Sequence, residues 1–218
     1  MAQLFSPAAN VVSRIVIATI ILGALAAMGL AYAIVRSPYV SGVGVAPKQP
    51  VPFSHEHHAG QLGIDCRYCH TSVETSAVAG LPPTEICMTC HSQVWTQAKM
   101  LEPVRESWRT GIPMRWARVH DLPDFVYFNH SIHVRKGIGC SSCHGRVDRM
   151  PLVWKTETLF MSWCLECHRA PERFVRPRDK VFDMAWAPPA DQLAQGRKLV
   201  TEYHIRSGEL TDCYRCHR

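Results

Sequence analysis

The chain has 218 residues, which is long enough to bury a sizeable core. Fifteen prolines and 13 glycines argue against a fold built from long regular elements and favour short elements joined by loops. The formal net charge of +6 would suit an acidic partner or a nucleic acid. Ten cysteines are present, and their spacing, given below, decides between a disulfide framework and other uses.

The N-terminal part of the chain is apolar. Arg14 is followed by 21 uncharged residues from Ile15 to Val35, and the stretch closes at Arg36. This length can cross the hydrocarbon core of a bilayer. A cleaved signal peptide is the alternative, because residues 31–33 resemble a cleavage site, but the stretch exceeds an ordinary signal-peptide core. We predict an uncleaved transmembrane anchor over residues 1–36.

The next segment is expected to be a linker. Residues 37–50 contain three prolines and two glycines, which favour an extended tether. The folded domain is expected to begin at about Val51.

Every cysteine belongs to a Cys-x-x-Cys-His motif, the pattern that attaches a c-type haem. The two thiols bond the haem vinyl groups, and the adjacent His is an axial ligand of the iron. On one helical turn the positions i, i+3 and i+4 share a face, so both sulfurs and the imidazole can meet one porphyrin. The first to fifth motifs are Cys66/Cys69/His70, Cys87/Cys90/His91, Cys140/Cys143/His144, Cys164/Cys167/His168 and Cys213/Cys216/His217.

A zinc site or a disulfide framework gives no reason for a His after every second cysteine. We therefore predict five covalently bound haem c groups, whose propionates would neutralise much of the positive charge. The predicted fold class is mainly α and irregular. One N-terminal transmembrane helix would be followed by a multihaem cytochrome c domain of short helices and loops wrapped around the five haems.

The location follows from the attachment chemistry. Haem is joined to these motifs outside the cytoplasmic membrane, whereas Arg14 on one side and Arg36 and Lys48 on the other leave charge counting indecisive. We expect a single-pass protein of the cytoplasmic membrane with the haem domain on the periplasmic side.

A repeat organises the haem domain. Phe53-Ser-His-x-x-His, Gly63-Ile64 and the first motif match Phe128-Asn-His-x-x-His, Gly137-Ile138 and the third motif, with an offset of one residue before the cysteine. The predicted two-haem modules are 51–91 and 128–170, separated by a connector over 92–127. The segment 171–218 would carry the fifth haem.

Two helices are predicted outside the motifs, the first of them short. Ser92–Glu102 would form one that ends at Pro103. Asp191–Ile205 would form the other, with Asp191 near its N-terminus and Gly196 weakening it.

Seven histidines lie outside the motifs: His55, His57, His58, His120, His130, His133 and His204. The Phe-x-His-x-x-His element resembles the one that precedes the first haem in class III multihaem cytochromes. The resemblance implies that His55 ligates the haem of His70, and His130 that of His144. His58 and His133 would then each ligate a neighbouring haem.

The fifth distal ligand stays open at this level. His120 is preferred because it lies in the ordered-looking run into Phe128, and His204 is the close alternative. A methionine is the third possibility, among Met100, Met114, Met150, Met161 and Met184. His57 is expected to be an exposed neighbour of the ligands.

The whole pattern resembles the pentahaem cytochrome subunit of bacterial alternative complex III. The resemblance rests on the anchor, the five motifs and the runs 120–130 and 163–169. It implies a relay subunit, without catalytic residues of its own, of a quinol:electron-acceptor oxidoreductase in a respiratory or photosynthetic chain. Implied partners are an iron–sulfur subunit related to molybdopterin enzymes, polytopic quinol-binding subunits and a monohaem cytochrome c. The acceptor would be a soluble cytochrome c, a cupredoxin or an oxidase.

Two other functions remain. A stand-alone membrane-anchored quinol dehydrogenase of the NapC/NrfH kind would oxidise quinol itself and feed a periplasmic reductase. It predicts one haem with an unusual ligand beside the membrane. A catalytic multihaem reductase predicts an altered motif, but all five motifs end in His.

Overall fold

The structure, a computed structural model, describes residues 5–217. It divides into two compact units between Val43 and Gly44. Within the described range no β-strand forms, and β-structure is limited to two isolated antiparallel bridges, Val126–His217 and Ile138–Val175. The mainly helical and irregular fold class predicted from the sequence is confirmed.

The first unit is dominated by helix α1, Ala9–Arg36, which has 28 residues. Its most apolar window has a mean hydropathy of 2.3, and none of its residues is buried. At about 1.5 Å per residue, a helix of this length can cross a bilayer core of about 30 Å. The apolar N-terminal helix is therefore confirmed, and by length and composition it fits a membrane anchor or a signal sequence.

Proline ends α1. Ser37 is extended, with φ −69° and ψ 158°, because Pro38 disfavours helical backbone at the residue before it. Pro38 then opens helix α2, Pro38–Ser41, which stops at Gly42 with a φ of 68°. The start of the expected extended tether is thus one helical turn.

The end of the expected tether is bonded into the second unit. The Gly44 N–H donates to the Lys155 carbonyl oxygen at 2.8 Å. The Gln49 side-chain amide donates to the Ala117 carbonyl oxygen at 2.8 Å and accepts from the Ala117 N–H at 2.9 Å. Tertiary hydrogen bonds therefore fix residues 44–50, whereas their composition predicts an extended tether.

The second unit is a series of short helices joined by loops and turns. A π-helical turn spans Glu56–Gln61, and the α-helices are α3 Cys66–Cys69, α4 Thr84–His91, α5 Glu102–Thr110, α6 His130–Arg135, α7 Ser141–His144, α8 Met161–Arg169 and α9 Gln192–Glu202. Single 3-10 turns span Lys99–Leu101, Val147–Arg149, Pro171–Arg173, Arg178–Lys180, Ser207–Glu209 and Cys213–Arg215. Each Cys-x-x-Cys-His motif overlaps one of these helices or turns.

The helix predicted over Ser92–Glu102 is wrong. Those residues form turns, and α5 begins at Glu102 with Pro103 in its first turn. Proline is well tolerated there because the first-turn N–H groups have no partner within the helix. Leu101 and Val104 pack with Val51 in a small buried cluster, which fixes the start of α5.

The helix predicted over Asp191–Ile205 exists as the shorter α9. Gly196 has a packing reason, because a Cβ at this position would lie 1.8 Å from the Glu172 carbonyl oxygen. The Gln192 side chain crosses the same contact and donates to the carbonyl oxygens of Glu172 and Val175 at 3.1 and 2.9 Å. The close approach of the Glu172 backbone therefore requires glycine at this position, although glycine has a low helix propensity.

The one-residue offset between the repeats is absorbed by the backbone. After the second repeat's helix α6, the Ile138 N–H donates to the His133 carbonyl oxygen. In the first repeat the matching bond runs from Ile64 to His58, which encloses one more residue. A π-helical turn is an α-helical turn widened by one residue, so Glu56–Gln61 accommodates the insertion.

Candidate haem-ligand sites

Four pairs of histidine rings face each other at nearly constant separation. In each pair one ring comes from a Cys-x-x-Cys-His motif and the other comes from a Phe-x-His-x-x-His element. The centroid distances and interplanar angles are 6.5 Å and 2° for His55–His70, 6.3 Å and 8° for His130–His144, 6.2 Å and 25° for His133–His168, and 6.2 Å and 65° for His58–His91.

This separation is what one shared metal ion requires. A metal–imidazole nitrogen bond is about 2 Å long and the nitrogen lies about 1 Å from the ring centroid, so two rings on opposite sides of one ion have centroids about 6 Å apart. Direct stacking would bring flat rings closer, whereas these four pairs cluster within 0.3 Å of each other. The geometry therefore fits one iron between each pair.

Backbone carbonyls hold most of these rings through Nδ1. Such a bond fixes the proton on Nδ1 and leaves Nε2 as the lone pair that binds a metal. The acceptors are Ser54 for His58, Gly80 for His70, Val94 for His91, Ala77 for His130, Asn129 for His133, Leu210 for His168 and Phe125 for His217, at 2.7 to 3.2 Å. The donor set therefore fits haem iron.

The two repeats orient their rings in the same way. Phe53 stacks on His58 at 4.4 Å and meets His55 edge-on at 4.8 Å. Phe128 does the same in the second repeat, with His133 at 4.6 Å and His130 at 4.8 Å. One phenylalanine thus sets the directions of two candidate ligands in each repeat.

A polar side chain starts the turn in both repeats. The Ser54 hydroxyl accepts from the His57 N–H at 3.1 Å, and the Asn129 side chain accepts from the Ile132 N–H at 3.3 Å. Asn129 is the N-terminal cap of α6, and Ser54 makes the corresponding bond one residue before His55, so both satisfy N–H groups that the helical turn leaves without a partner. The second His of each repeat lies one turn after this polar residue, and its Nδ1 donates to the carbonyl oxygen of the same residue.

Burial keeps candidate ligands neutral. It lowers the pKa of His55 to about 4, with further contributions from the neighbouring His70 and His58. Burial, followed by His120 and His130, lowers the pKa of His144 to about 3, and burial lowers the pKa of His133 as well. At neutral pH these rings are uncharged, and a neutral imidazole is the form that ligates a metal.

The motif cysteines are not all enclosed to the same extent. Eight of them are half-buried, whereas Cys90 and Cys213 are exposed. The buried cluster around Val51 contacts α4 at Cys87 and Met88, and Cys90 lies beyond that contact, near the end of the helix. The protein chain itself therefore covers the two cysteines of the second motif unequally.

The fifth motif closes a single helical turn. A 3-10 turn spans Cys213–Arg215, and the N–H groups of Cys216 and His217 both donate to the Cys213 carbonyl oxygen, at 3.2 and 2.9 Å. The Cys216 carbonyl oxygen also makes a long-range contact, because it accepts from the Tyr127 N–H at 2.8 Å. The adjacent His217 forms an isolated bridge with Val126. The turn that the spacing predicts is thus present in the fifth motif, and the role of Cys216 in haem attachment stays a prediction.

The structure places His120 beside the third motif. Its ring meets His144 edge-on, with centroids 4.3 Å apart, and within residues 5–217 no second imidazole faces His217. His204 is exposed and has a positive φ of 51°, and His57 is exposed beside Gln61. The contact between His120 and His144 joins distant positions, so local sequence does not encode it.

Comparison with known proteins gives matches in both halves of the second unit. The Class III cytochrome C family matches residues 36–110, and cytochrome c7 and related cytochrome c matches residues 126–218. The chain is a multihaem cytochrome c. The cofactor of these families is covalently bound haem c, in agreement with the facing rings and the cysteine spacing. The two matches end and begin within the connector between the repeats.

A curated relative of this multihaem cytochrome is the menaquinone reductase multihaem cytochrome c subunit of Nitratidesulfovibrio vulgaris. It is 28% identical over 171 residues, which cover 78% of this chain and 68% of the relative. The similarity thus extends beyond the motifs into the connector or the termini.

Sequence reasoning missed two features of the candidate sites. The Nδ1 acceptors are main-chain carbonyls, which every residue type supplies, so no sequence signal could find them. The contact between His120 and His144 joins residues 24 apart across a loop. The sequence signal for this contact is that the chain has more histidines than five irons need. That surplus does not distinguish a histidine that ligates iron from one that hydrogen-bonds a ligand.

Proposed function

We propose that this chain is the electron-relay subunit of a membrane-bound, quinone-linked oxidoreductase and carries five haem c groups. The observation that supports it is the set of four facing histidine pairs beside the motif cysteines. Bound haem supplies a one-electron centre at each motif, with a potential set by axial ligands, burial and hydrogen bonds. Two histidines on an iron leave no coordination site for a substrate, which favours relay over catalysis.

The proposed ligand set follows the facing pairs. The ten motif cysteines attach the haems and the five motif histidines are proximal ligands. Distal ligands are His55 for the first haem, His58 for the second, His130 for the third and His133 for the fourth. The fifth haem has His217 and a sixth ligand other than His120.

Contacts between the motifs support a continuous order of haems. Tyr68 of the first motif hydrogen-bonds Thr89 of the second at 2.9 Å. The Cys66 and Cys140 side chains are close neighbours, which joins the first motif to the third. We propose the spatial order second, first, third, fourth, fifth, because each consecutive pair is linked by such a contact.

The last two links involve ligand histidines. His133, which lies in the helix just before the third motif, faces His168 of the fourth at 6.2 Å. His168 in turn donates to the Leu210 carbonyl oxygen at 2.9 Å, three residues before the fifth motif. A polypeptide that packs successive motifs against one another holds redox centres close enough for rapid transfer.

The finer assignment is a subunit of alternative complex III on the periplasmic side of the cytoplasmic membrane, held by α1. Support comes from the resemblance in the runs 120–130 and 163–169 and from the apolar helix. The partners would be an iron–sulfur subunit, polytopic quinone-binding subunits and a monohaem cytochrome c. A soluble cytochrome c or a cupredoxin would then accept the electrons.

A second candidate is a complex that runs in the opposite direction and reduces menaquinone. The similarity to the menaquinone reductase subunit favours it over the stand-alone quinol dehydrogenase of the NapC/NrfH kind. The same relay serves both directions, because electron flow follows the potentials of donor and acceptor.

Purification of the intact protein from membranes in mild detergent tests the proposal. Mass spectrometry should find five haem adducts on the chain, and co-purifying subunits should include an iron–sulfur protein and polytopic membrane proteins. Addition of quinol and of oxidised cytochrome c, separately, would establish the direction of electron flow. Fewer than five adducts, or a chain that purifies alone and oxidises quinol, would overturn it.

A further inference from the structure

One proximal histidine differs from the other four in its hydrogen-bond partner. His70, His91, His168 and His217 each place Nδ1 against a main-chain carbonyl oxygen. His144 instead places Nδ1 3.3 Å from Nδ1 of His120, and the two rings meet at 76°. The third motif thus has an imidazole where the others have an amide oxygen.

The proton between these two nitrogens can be assigned from the other contacts of His144. Its ring faces His130 at 6.3 Å and 8°, so Nε2 is the atom directed to the iron and Nδ1 carries the proton. His120 must then accept through Nδ1 and carry its own proton on Nε2. That Nε2 is buried and has no hydrogen-bond partner within the described residues.

The acceptor type matters for the iron. A ring nitrogen is a stronger base than an amide oxygen, so it draws the Nδ1 proton of His144 more strongly. The proximal imidazole gains electron density, donates more to the metal and favours the ferric state.

We propose that His120 is a positioning residue that orients His144 and lowers the reduction potential of the third haem below the value a carbonyl partner would give. The inference rests on the proposed function, because it requires a haem at the third motif. The third haem lies centrally in the proposed order, so its potential would control transfer between the two halves of the relay.

The test compares three variants of the full-length membrane-bound protein by potentiometric titration and by electron paramagnetic resonance. His120→Phe keeps a flat ring and removes the acceptor, and His120→Gln restores an acceptor oxygen. His57→Gln is the matched control, because it removes an exposed imidazole whose side chain, among the residues that the structure describes, hydrogen-bonds Gln61. Haem adducts are counted first in each variant.

We expect His120→Phe to raise one of the five midpoint potentials and leave the other four unchanged, with every haem still low-spin. His120→Gln should give a smaller rise in the same potential, and His57→Gln should give none. Should His120→Phe fail to incorporate haem, the His120→Gln titration decides alone.

Unchanged potentials in haem-replete variants would overturn the inference and leave the relay proposal intact. Conversion of a low-spin haem to high-spin would also overturn it, because that result makes His120 an axial ligand. Absence of haem from Cys140 and Cys143 in the unaltered protein would instead refute the proposed function.

Discussion

The first and second repeats hold their histidine rings in the same arrangement with different backbone conformations. Phe53 and Phe128 hold their histidines at closely matched distances, although one repeat forms a π-helical turn and the other the α-helix α6. The ring contacts survive the one-residue insertion because the extra residue widens the turn after the second His. Ring geometry is therefore the constrained feature of the repeat, and helix type is not.

The repeats differ in the partners of their rings. Nδ1 of His130 bonds the Ala77 carbonyl oxygen at 2.9 Å, whereas Nδ1 of His55 is buried with no hydrogen-bond partner in the described part of the chain. The angle between facing rings is 65° for His58–His91 and 25° for His133–His168. The two proposed modules should therefore hold spectroscopically different haems.

Removal of the second His in each repeat gives the largest expected effect. His58→Ala and His133→Ala should each convert one haem from low-spin to high-spin, because the iron loses its sixth ligand. Imidazole planes near perpendicular keep two iron d orbitals close in energy. His58→Ala should thus remove a highly anisotropic low-spin resonance signal, and His133→Ala a more rhombic one. Loss of the same signal from both variants would contradict the assigned angles.

Gly60 distinguishes the π-helical turn from its counterpart. A Cβ there would lie 2.2 Å from the Asp148 carbonyl oxygen, so Gly60→Ala must displace backbone. We expect a loss of about 1–3 kcal/mol in the free energy of unfolding, the usual cost of overpacking. Chemical denaturation followed by circular dichroism measures it. Gly208→Ala is the control, since no atom lies within 4 Å of its added Cβ, and an equal loss there would contradict the packing argument.

The caps give the smallest expected effect. Asn129→Ala should cost about 1 kcal/mol of stability, because the Ile132 N–H loses its acceptor. Asn129→Ser, which copies the cap of the first repeat, should cost only a few tenths of a kcal/mol, roughly the spread among good caps. Thermal denaturation of both variants checks the order. A serine variant as unstable as the alanine variant would show that the two caps are not equivalent.

Much of the second unit could be predicted from local spacing. Most motif turns follow from positions i, i+3 and i+4, and the repeated Phe-x-His-x-x-His element predicted where the other rings would come from. Spacing could not predict that the Tyr127 N–H bonds the Cys216 carbonyl oxygen, because that contact is made by a segment far away in the sequence. It also could not show that Cys90 is exposed, since exposure depends on what packs against α4.

The prediction for Ser92–Glu102 failed for a local reason. The sequence predicts that Pro103 ends a helix, whereas this residue lies in the first turn of one. A proline indicates a helix boundary, but the surrounding sequence is only a weak guide to whether the helix ends before it or begins with it.

The sequence by itself determined the apolar helix, the haem-attachment motifs and the supply of histidines, because each depends on residues a few positions apart. Only the tertiary structure decided which rings face each other, which carbonyls hold them and where His120 lies. Those features depend on contacts between distant segments and on main-chain atoms, which are the same in every residue type. For that reason the sequence predicts His120 as a fifth distal ligand without giving its haem, and only the structure places its ring beside His144.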